Sequence, residues 1–287
     1  MCVTHVTRHM APMMRTAADL WHDAVAETSW RRHMGDVTFR RPPLVEVSFG
    51  LRFRRPPGLH VAHYGLFWSR FERDFPDTLD QPPIADPQMP PPEWFGPRVW
   101  LVHRDKALLL QLQYDRFHVN WRRLTPDVEY PRFTTLAPVF STYCVAWAEF
   151  VDRLGLGRLE DMRAELSYVN HLEPSDGWPK VSDIGRVIAP LRTGVDVKGT
   201  LPASVEWGAI FELAHTKTSA NLKTMMRPED GGKKLFQLEI KAESLAPLSS
   251  APEALQWAAR ANIDVVTTFC SITSDWAQKE LWHRGDR

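Results

Sequence analysis

The chain has 287 residues, a length typical of one large domain or two modest ones. Hydrophobic residues make up 44% of it and charged residues 24%, which argues against wholesale disorder and against a fibrous repeat. Lysine plus arginine and aspartate plus glutamate each number 35, so the formal net charge is zero. Proteins that bind nucleic acid or membrane surfaces in general carry a basic excess, so the composition disfavours both partners.

The cysteines and the hydropathy indicate the compartment. Cys2, Cys144 and Cys270 are far apart and odd in number, which predicts neither a disulfide framework nor a cysteine-based zinc site. No stretch approaches the roughly 18–20 continuous apolar residues of a membrane span. Charged residues and histidines interrupt the N-terminus where a signal peptide needs an apolar run. We therefore expect a soluble, cytoplasmic protein.

Residues 1–38 differ from the rest of the chain. They hold four histidines and several methionines and show no strand pattern. Two interpretations are open: a disordered or short helical extension, or a start codon placed too early, with Met34 as the true first residue. We treat 1–38 as an N-terminal extension and base no function on it.

The first half, residues 39–157, begins with a strand. Residues 44–53 alternate apolar and polar side chains, which predicts a half-buried strand. In the residues after this strand, helical spacing of apolar side chains predicts helices, a proline-rich run predicts a loop, and three alternating segments predict strands. In chain order they are a helix over 60–75, a loop over 76–97, strands over 98–104, 107–113 and 117–123, and a long helix over 131–154.

The second half, residues 158–287, repeats this order of patterns without a convincing self-alignment. Its predicted elements are a strand over 163–172, a short helix over 179–191, strands over 203–213, 218–226 and 234–241, and a helix over 252–281 that breaks near Ser271 or Thr273. Each half is therefore β-α-β-β-β-α, and both halves belong to one compact domain. The pattern predicts an α+β fold, an antiparallel sheet with long helices on one face. By analogy it is similar to helix-grip or TATA-binding-protein-like folds.

Five short stretches carry a likeness to known sequences. They are Arg-Pro-Pro-Leu-Val-Glu-Val at 41–47, Leu-Gln-Tyr-Asp-Arg-Phe at 112–117, Asn-Trp-Arg at 120–122, Tyr-Pro-Arg at 130–132 and Leu-Ser-Tyr-Val-Asn-His at 166–171. In this combination the chain, from about residue 38 to its end, resembles a sporadically distributed family of uncharacterised bacterial proteins. The resemblance implies a bacterial source and brings no assigned activity.

The polar positions of the strands predict where a ligand or partner binds. Along each predicted strand, the residues that alternate with the apolar ones point to the opposite face of the sheet. That face carries many hydrogen-bonding and charged groups. Same-face neighbours on adjacent strands lie roughly 5–8 Å apart, so these groups have the spacing to converge on a small polar or anionic group. The alternative is a solvated outer face with a cross-strand hydrogen-bond ladder. The candidate residues are Glu46, Gln111, Gln113, His118, Asn120, Arg122, Glu165 and His171.

The same face supplies a catalytic alternative. Glu46, Glu165 and Glu206 with His118 and His171 are the residue types of acid–base pairs or of a metal site. No catalytic or nucleotide-binding spacing accompanies them, so no metal or cofactor is predicted. A second histidine pair stands at 60 and 63, where a helix cap is the favoured interpretation.

Three functions remain open. The leading hypothesis is a non-enzymatic protein that binds a small polar ligand or a protein partner through the polar sheet face. The first alternative is a hydrolase-type or metal-dependent enzyme that uses the acidic and histidine residues of that face. The second alternative is a nucleic-acid-binding accessory protein, which the even charge disfavours.

Overall fold

The structure is a computed structural model that describes residues 37–84, 96–191, 197–227 and 232–286. Eleven strands lie in these ranges. They are β1 (Val37–Phe39), β2 (Leu44–Arg54), β3 (Asp77–Gln81), β4 (Arg98–Val102), β5 (Leu108–Gln113), β6 (Arg116–Arg122), β7 (Glu160–Leu172), β8 (Glu206–Glu212), β9 (Thr216–Arg227), β10 (Lys233–Ser244) and β11 (Arg284–Asp286).

The helices are fewer and include two long ones. The α-helices are α1 (Ala62–Trp68), α2 (Phe133–Arg153) and α3 (Ala251–Ile272). Short 3₁₀ segments cover Pro174–Asp176, Val181–Arg186 and Ala189–Leu191, and a π-helical turn covers Ala277–Leu281. Within the described ranges, none of the helices combines the length and the apolar character needed to cross a membrane.

Nine strands form one antiparallel sheet in the order β3-β4-β5-β6-β2-β7-β10-β9-β8. Strands β1 and β11 pair separately. In the first half, β2, β6, β5 and β4 lie side by side, and β7, β10, β9 and β8 follow the same neighbour order in the second half. The two halves meet where β2 pairs with β7. The α+β prediction with a large antiparallel sheet is confirmed.

The core lies between the sheet and the two long helices. Period-two alternation directs Phe49, Phe117 and Leu166 to this side, where all three are fully buried. The ring of Phe117 stacks on Trp147 of α2, with centroids 5.3 Å apart. α3 begins at a Ser250 cap, whose hydroxyl accepts the backbone N–H of Glu253. Among the described residues, five tryptophans are buried in this core: Trp121, Trp147, Trp178, Trp257 and Trp282.

Several segments differ from their predicted structure. The loop predicted over 76–97 contains the edge strand β3, whose side chains are almost all exposed and so leave no alternating pattern. The predicted helix over 60–75 ends at Trp68, because the chain turns and the indole of Trp68 donates to the Phe75 carbonyl oxygen. The predicted helix over 179–191 is instead 3₁₀ turns, since Gly185 and Pro190 weaken an α-helix there.

The two ends of the described chain also differ from the prediction. β1 starts at Val37, within the last two residues of the predicted extension, and pairs with β11, for which the sequence offered no strand signal. The final helix ends at Ile272, and Thr273 forms a β-bridge with Ile188. The predicted break near Ser271 or Thr273 therefore lies where the helix stops.

Candidate functional site

The eight residues predicted to bind a ligand lie on the sheet face opposite α2 and α3. They alternate along their strands with core residues such as Phe49 and Val119. The register places Gln111 beside His118, and His118 beside Gly50, in one row across β5, β6 and β2. We call the side of the sheet that these side chains share the polar face. It includes Glu46, Gln111, Gln113, His118, Asn120, Arg122, Glu165 and His171.

Gln111 and Asn120 form the centre of a first group on the polar face. Gln111 Oε1 accepts hydrogen bonds from Arg98 Nη1 at 2.8 Å and from Trp100 Nε1 at 2.9 Å. Gln111 Nε2 donates to Asn120 Oδ1 at 2.8 Å, and Asn120 Nδ2 donates to Glu46. Burial raises the pKa of Glu46, and the hydrogen bond from Asn120 offsets this only in part. Both amides are therefore engaged by neighbouring side chains.

Glu165 is the centre of a second group. Its carboxylate lies 3.1 Å from Lys241 Nζ and 3.3 Å from Arg52 Nη1. Burial acts to raise the pKa of this carboxyl group, but the surrounding positive charges, Lys241 foremost, bring the pKa below its usual value. Because a buried charge needs partners, this carboxylate is stabilised by the protein itself.

His118 completes the second group. Its Nε2 lies 3.8 Å from Glu165 Oε2, and its Nδ1 lies 3.4 Å from Ser48 Oγ. A Cβ atom on Gly50 would come within 2.7 Å of the imidazole ring, so only glycine leaves room for it. Burial lowers the pKa of His118 to about 4, against the opposing effect of Glu165. The imidazole is therefore neutral near pH 7 and packed inside the protein.

Gln113 and Arg122 have structural partners as well. The Gln113 side chain bonds both the backbone N–H and the carbonyl oxygen of Ile84, at 2.9 Å and 3.0 Å, and so holds the segment after β3 against the sheet. Arg122 Nη2 donates to the Lys106 carbonyl oxygen at 3.0 Å. Its guanidinium group also lies 5.8 Å from the ring centroid of Trp100.

His171 belongs to a third group, further along β7. Its Nδ1 lies 2.9 Å from Arg227 Nη2, and Arg227 Nη1 lies 2.8 Å from a carboxylate oxygen of Glu173. Burial lowers the pKa of His171 to about 4. The eight residues thus fall into separate groups in which the protein supplies most hydrogen-bond partners, while His118 Nε2 and Arg122 Nε are buried without one among the described residues. Ligand binding by the polar face stays a prediction.

The residues of the catalytic alternative are brought together only in part. His118 and Glu165 approach each other, but Glu165 is buried and only 12% of the His118 side chain is exposed. Glu206 lies on the edge strand β8, and three strands separate β8 from the β2 strand of Glu46. At about 4.8 Å per strand, these two carboxylates stand roughly 19 Å apart across the sheet.

Metal ligation has little support in the described part of the chain. It contains no group of three or more His, Cys, Asp or Glu side chains placed to hold a metal ion. The backbone N–H of His60 donates to His63 Nδ1 at 3.0 Å, across the start of α1. Among the described residues, no side chain makes a cap hydrogen bond at the N-cap residue Val61, so the cap interpretation stays a prediction.

A cavity of about 620 Å³ lies on the helix side of the sheet, between α3, the start of α2 and the β1–β11 pair. Ligand pockets typically measure about 300–1,000 Å³. Most of the wall is apolar and comes from all of these elements. The apolar lining residues are Val37, Phe39, Pro42, Leu44, Phe133, Ile240, Ile263, Val265, Val266 and Phe269.

A chain of hydrogen bonds runs along one wall of the cavity. Tyr168 Oη donates to Asn262 Oδ1 at 2.6 Å, so Tyr130 Oη, 3.0 Å from Tyr168 Oη, is the donor to Tyr168. Burial raises the pKa of both tyrosines, which keeps both hydroxyls protonated. Among the described residues, Asn262 Nδ2 has no hydrogen-bond partner. Within the described part of the chain, the side chain of Asn170 bonds only through Nδ2, to the Leu238 carbonyl oxygen. One amide donor and one amide acceptor on this wall are therefore open.

Arg132 lies at the rim of the cavity, directly before α2. Its backbone has φ 72° and ψ 149°, a conformation that favours glycine and costs an arginine about 1–3 kcal/mol. No side chain caps the helix that follows. Backbone strain of this kind persists where the surrounding structure enforces it, and it often marks a functional position.

Sequence reasoning missed this cavity. Strand parity assigns Tyr168 to the core face but does not reveal a space there. The one available signal is Asn262, a polar residue in the inner apolar stripe of α3. Nothing in the residue pattern predicts that Arg132 and Tyr130 reach the same wall.

No protein-family model matches the chain, and no curated protein matches it. The likeness to the bacterial family therefore rests on the short motifs alone. Three of those motifs, at 41–47, 130–132 and 166–171, supply residues that line the cavity.

Proposed function

We propose that this protein is a non-enzymatic binding protein that holds a small, largely apolar molecule in the cavity between α3 and the sheet. The observation that carries the proposal is the open amide of Asn262, oriented by Tyr130 and Tyr168 within a mostly apolar wall. Ligand pockets typically combine an apolar lining, which binds the ligand, with a few fixed polar groups, which orient it.

The hydrogen bonds already present on the polar face favour a ligand site in the cavity over the ligand site on the polar face that the sequence predicted. Gln111, Asn120 and Glu165 already bond to neighbouring protein groups, so a ligand there would have to displace those bonds. The catalytic alternative requires a histidine open to substrate, whereas His118 is packed against Gly50. Binding in the cavity requires no such rearrangement.

Titration with the neutral dye Nile red, followed by displacement with decanol, tests the proposal. Val266 lines the cavity and is only half-buried, so Val266→Trp fills space with little disturbance of the core. We expect this variant to bind the dye at least about tenfold more weakly, because the probe loses apolar contact area. Gln256→Trp, on an exposed position of the same helix outside the cavity lining, is the matched control and leaves the affinity unchanged.

Thermal unfolding of both variants shows that each remains folded. Equal dye affinity in Val266→Trp and the wild type would place the bound probe elsewhere and contradict the proposal. Absence of any saturable dye or decanol binding to the wild type would contradict it too.

A second candidate keeps partner binding on the polar face. The guanidinium groups of Arg98 and Arg122 both lie near the ring of Trp100, 5.4 Å and 5.8 Å from its centroid, and Trp100 is only half-buried. Such an array suits a flat or anionic partner group. In the same titration, loss of dye binding in Trp100→Ala but not in Val266→Trp would favour this face.

Three further proposals accompany the function. We propose that the chain is a member of the bacterial family it resembles and that it acts in the cytoplasm; the motifs and the composition support these proposals. We also propose that its halves form an internal structural repeat, which is supported by the shared neighbour order of β2-β6-β5-β4 and β7-β10-β9-β8.

A further inference from the structure

The charges around the cavity point to the class of its ligand. Among the described lining residues are two arginines, Arg132 and Arg284, and no aspartate or glutamate. Arg284 Nη1 donates to Gln278 Oε1 at 2.7 Å, whereas no hydrogen bond or ion pair to a described residue uses the side chain of Arg132. A largely apolar cavity with a cation at its rim is complementary to a molecule with one negative end.

The start of α2 adds to this positive end. The backbone N–H groups of Thr135 and Leu136 bond to the Arg132 carbonyl oxygen, but those of Phe133 and Thr134 have no partner within the described chain. Phe133 and Thr134 both line the cavity. In a helix of 21 residues, uncapped N–H groups and the helix dipole favour an anion at this end.

Asn262 provides a second, independent observation on the same wall. Residue Asn262 is 8% exposed, and its Nδ2 donor has no hydrogen-bond partner among the described residues. The hydrogen-bond chain through Tyr168 connects it to Tyr130, two residues before Arg132. Asn262 Nδ2 is not among the fully buried atoms that lack a partner, so it is open to the cavity, where an acceptor of a ligand can bond to it.

We infer that the ligand is an amphipathic carboxylate. Its carboxylate lies against the Arg132 guanidinium group and the start of α2, and its apolar body lies along Val265 and Ile240. A single unpaired guanidinium group with two free amides matches one carboxylate in charge and in hydrogen-bond number. The inference rests on the proposed function, because it names the ligand class of the same cavity.

Competition with Nile red by two ligands of equal chain length tests the inference. Decanoate carries the carboxylate, and decanol is its neutral counterpart. We expect the wild type to bind decanoate about tenfold more tightly than decanol, with a preference that shrinks as salt is added. Arg132→Gln should lose this preference and still bind decanol as the wild type does.

Arg153→Gln is the matched control, because Arg153 is an exposed arginine at the opposite end of the same helix. It should keep the full preference for decanoate. Equal affinity of the wild type for decanoate and decanol would overturn the inference and leave the proposed function standing. An unchanged preference in Arg132→Gln would also overturn it, whereas failure of both ligands to displace the dye would overturn the proposed function and the inference together.

Discussion

The imidazole of His118 lies directly over Gly50, with ring atoms 2.7 Å from the place where a Cβ atom would stand. These residues are register partners on β6 and β2. Because residue 50 has no side chain, the ring reaches across β2 toward Glu165 on β7. The contact between His118 and Gly50 therefore brings β6 into the group of charged residues around Glu165.

Gly50→Ala should destabilise the fold by about 1–3 kcal/mol, because the added methyl group displaces the imidazole from a packed position. Urea denaturation measures the change. The double variant with His118→Ala should recover part of the loss, since the clash is then removed, and the two changes should be strongly non-additive.

Gly65→Ala is the control for this substitution. It lies in α1, and no atom stands within 4 Å of its would-be Cβ. Alanine is the better helix former by about 0.8–1 kcal/mol, so this variant should be as stable as the wild type or more stable. A neutral or stabilising Gly50→Ala would contradict the close packing of His118.

The stability of the protein should fall as the pH drops from about 7 toward about 4. The pKa of His118 is near 6.5 in an unfolded chain and about 4 in the fold. Between these values the unfolded chain binds a proton that the folded state does not bind, which favours unfolding. His171 changes in the same direction, and the lowered pKa of Glu165 removes further stability below the usual carboxyl range. His118 alone contributes a loss of about 2 kcal/mol between about pH 7 and about pH 5.

Urea denaturation at several pH values checks this prediction. His118→Gln lowers stability near neutral pH but should flatten the dependence on pH, because the buried titrating group is gone. His60→Gln, which replaces an exposed histidine, serves as the control and should keep the wild-type slope. A His118→Gln variant with the full wild-type slope would show that other groups carry the effect.

Arg132→Gly should stabilise the protein by about 1 kcal/mol, because glycine adopts φ 72° and ψ 149° without steric cost. Arg132→Ala removes the same charge but keeps a Cβ atom, so it should bring no such gain. Thermal and urea unfolding of the two variants separate backbone strain from charge. Equal stability of both variants would argue against strain at this position.

The alternation along β2, β5 and β6 was sufficient to predict which side chains face the core and which form the polar face. Period two is a local property of an extended chain, so Phe49 and Glu46 were assigned to opposite faces from sequence alone. The alternation did not predict β3, because this edge strand is exposed on both faces and so lacks apolar residues at every second position. It also failed for β11, which has only three residues and pairs with a strand at the far end of the chain.

The partners of each polar residue were beyond the reach of the sequence. Gln113 was predicted to contact a ligand beside His118, which stays a prediction, and its protein partner is Ile84, 29 residues earlier. That partnership depends on how the chain after β3 returns over the sheet, which no local pattern encodes. Arg98 and Trp100, which complete the Gln111 network, were likewise not identified as members of the polar face.

The sequence by itself determined the fold class, the parity of the main strands and the two long amphipathic helices, because these follow from local periodicity and burial. Only the tertiary structure decided where space and unpaired polar groups remain. Tyr130, Tyr168 and Asn262 lie as far as 132 residues apart in the chain and meet on one cavity wall because α3 crosses β7 near the start of α2. Such a meeting is set by packing between elements, which periodicity within one element does not specify.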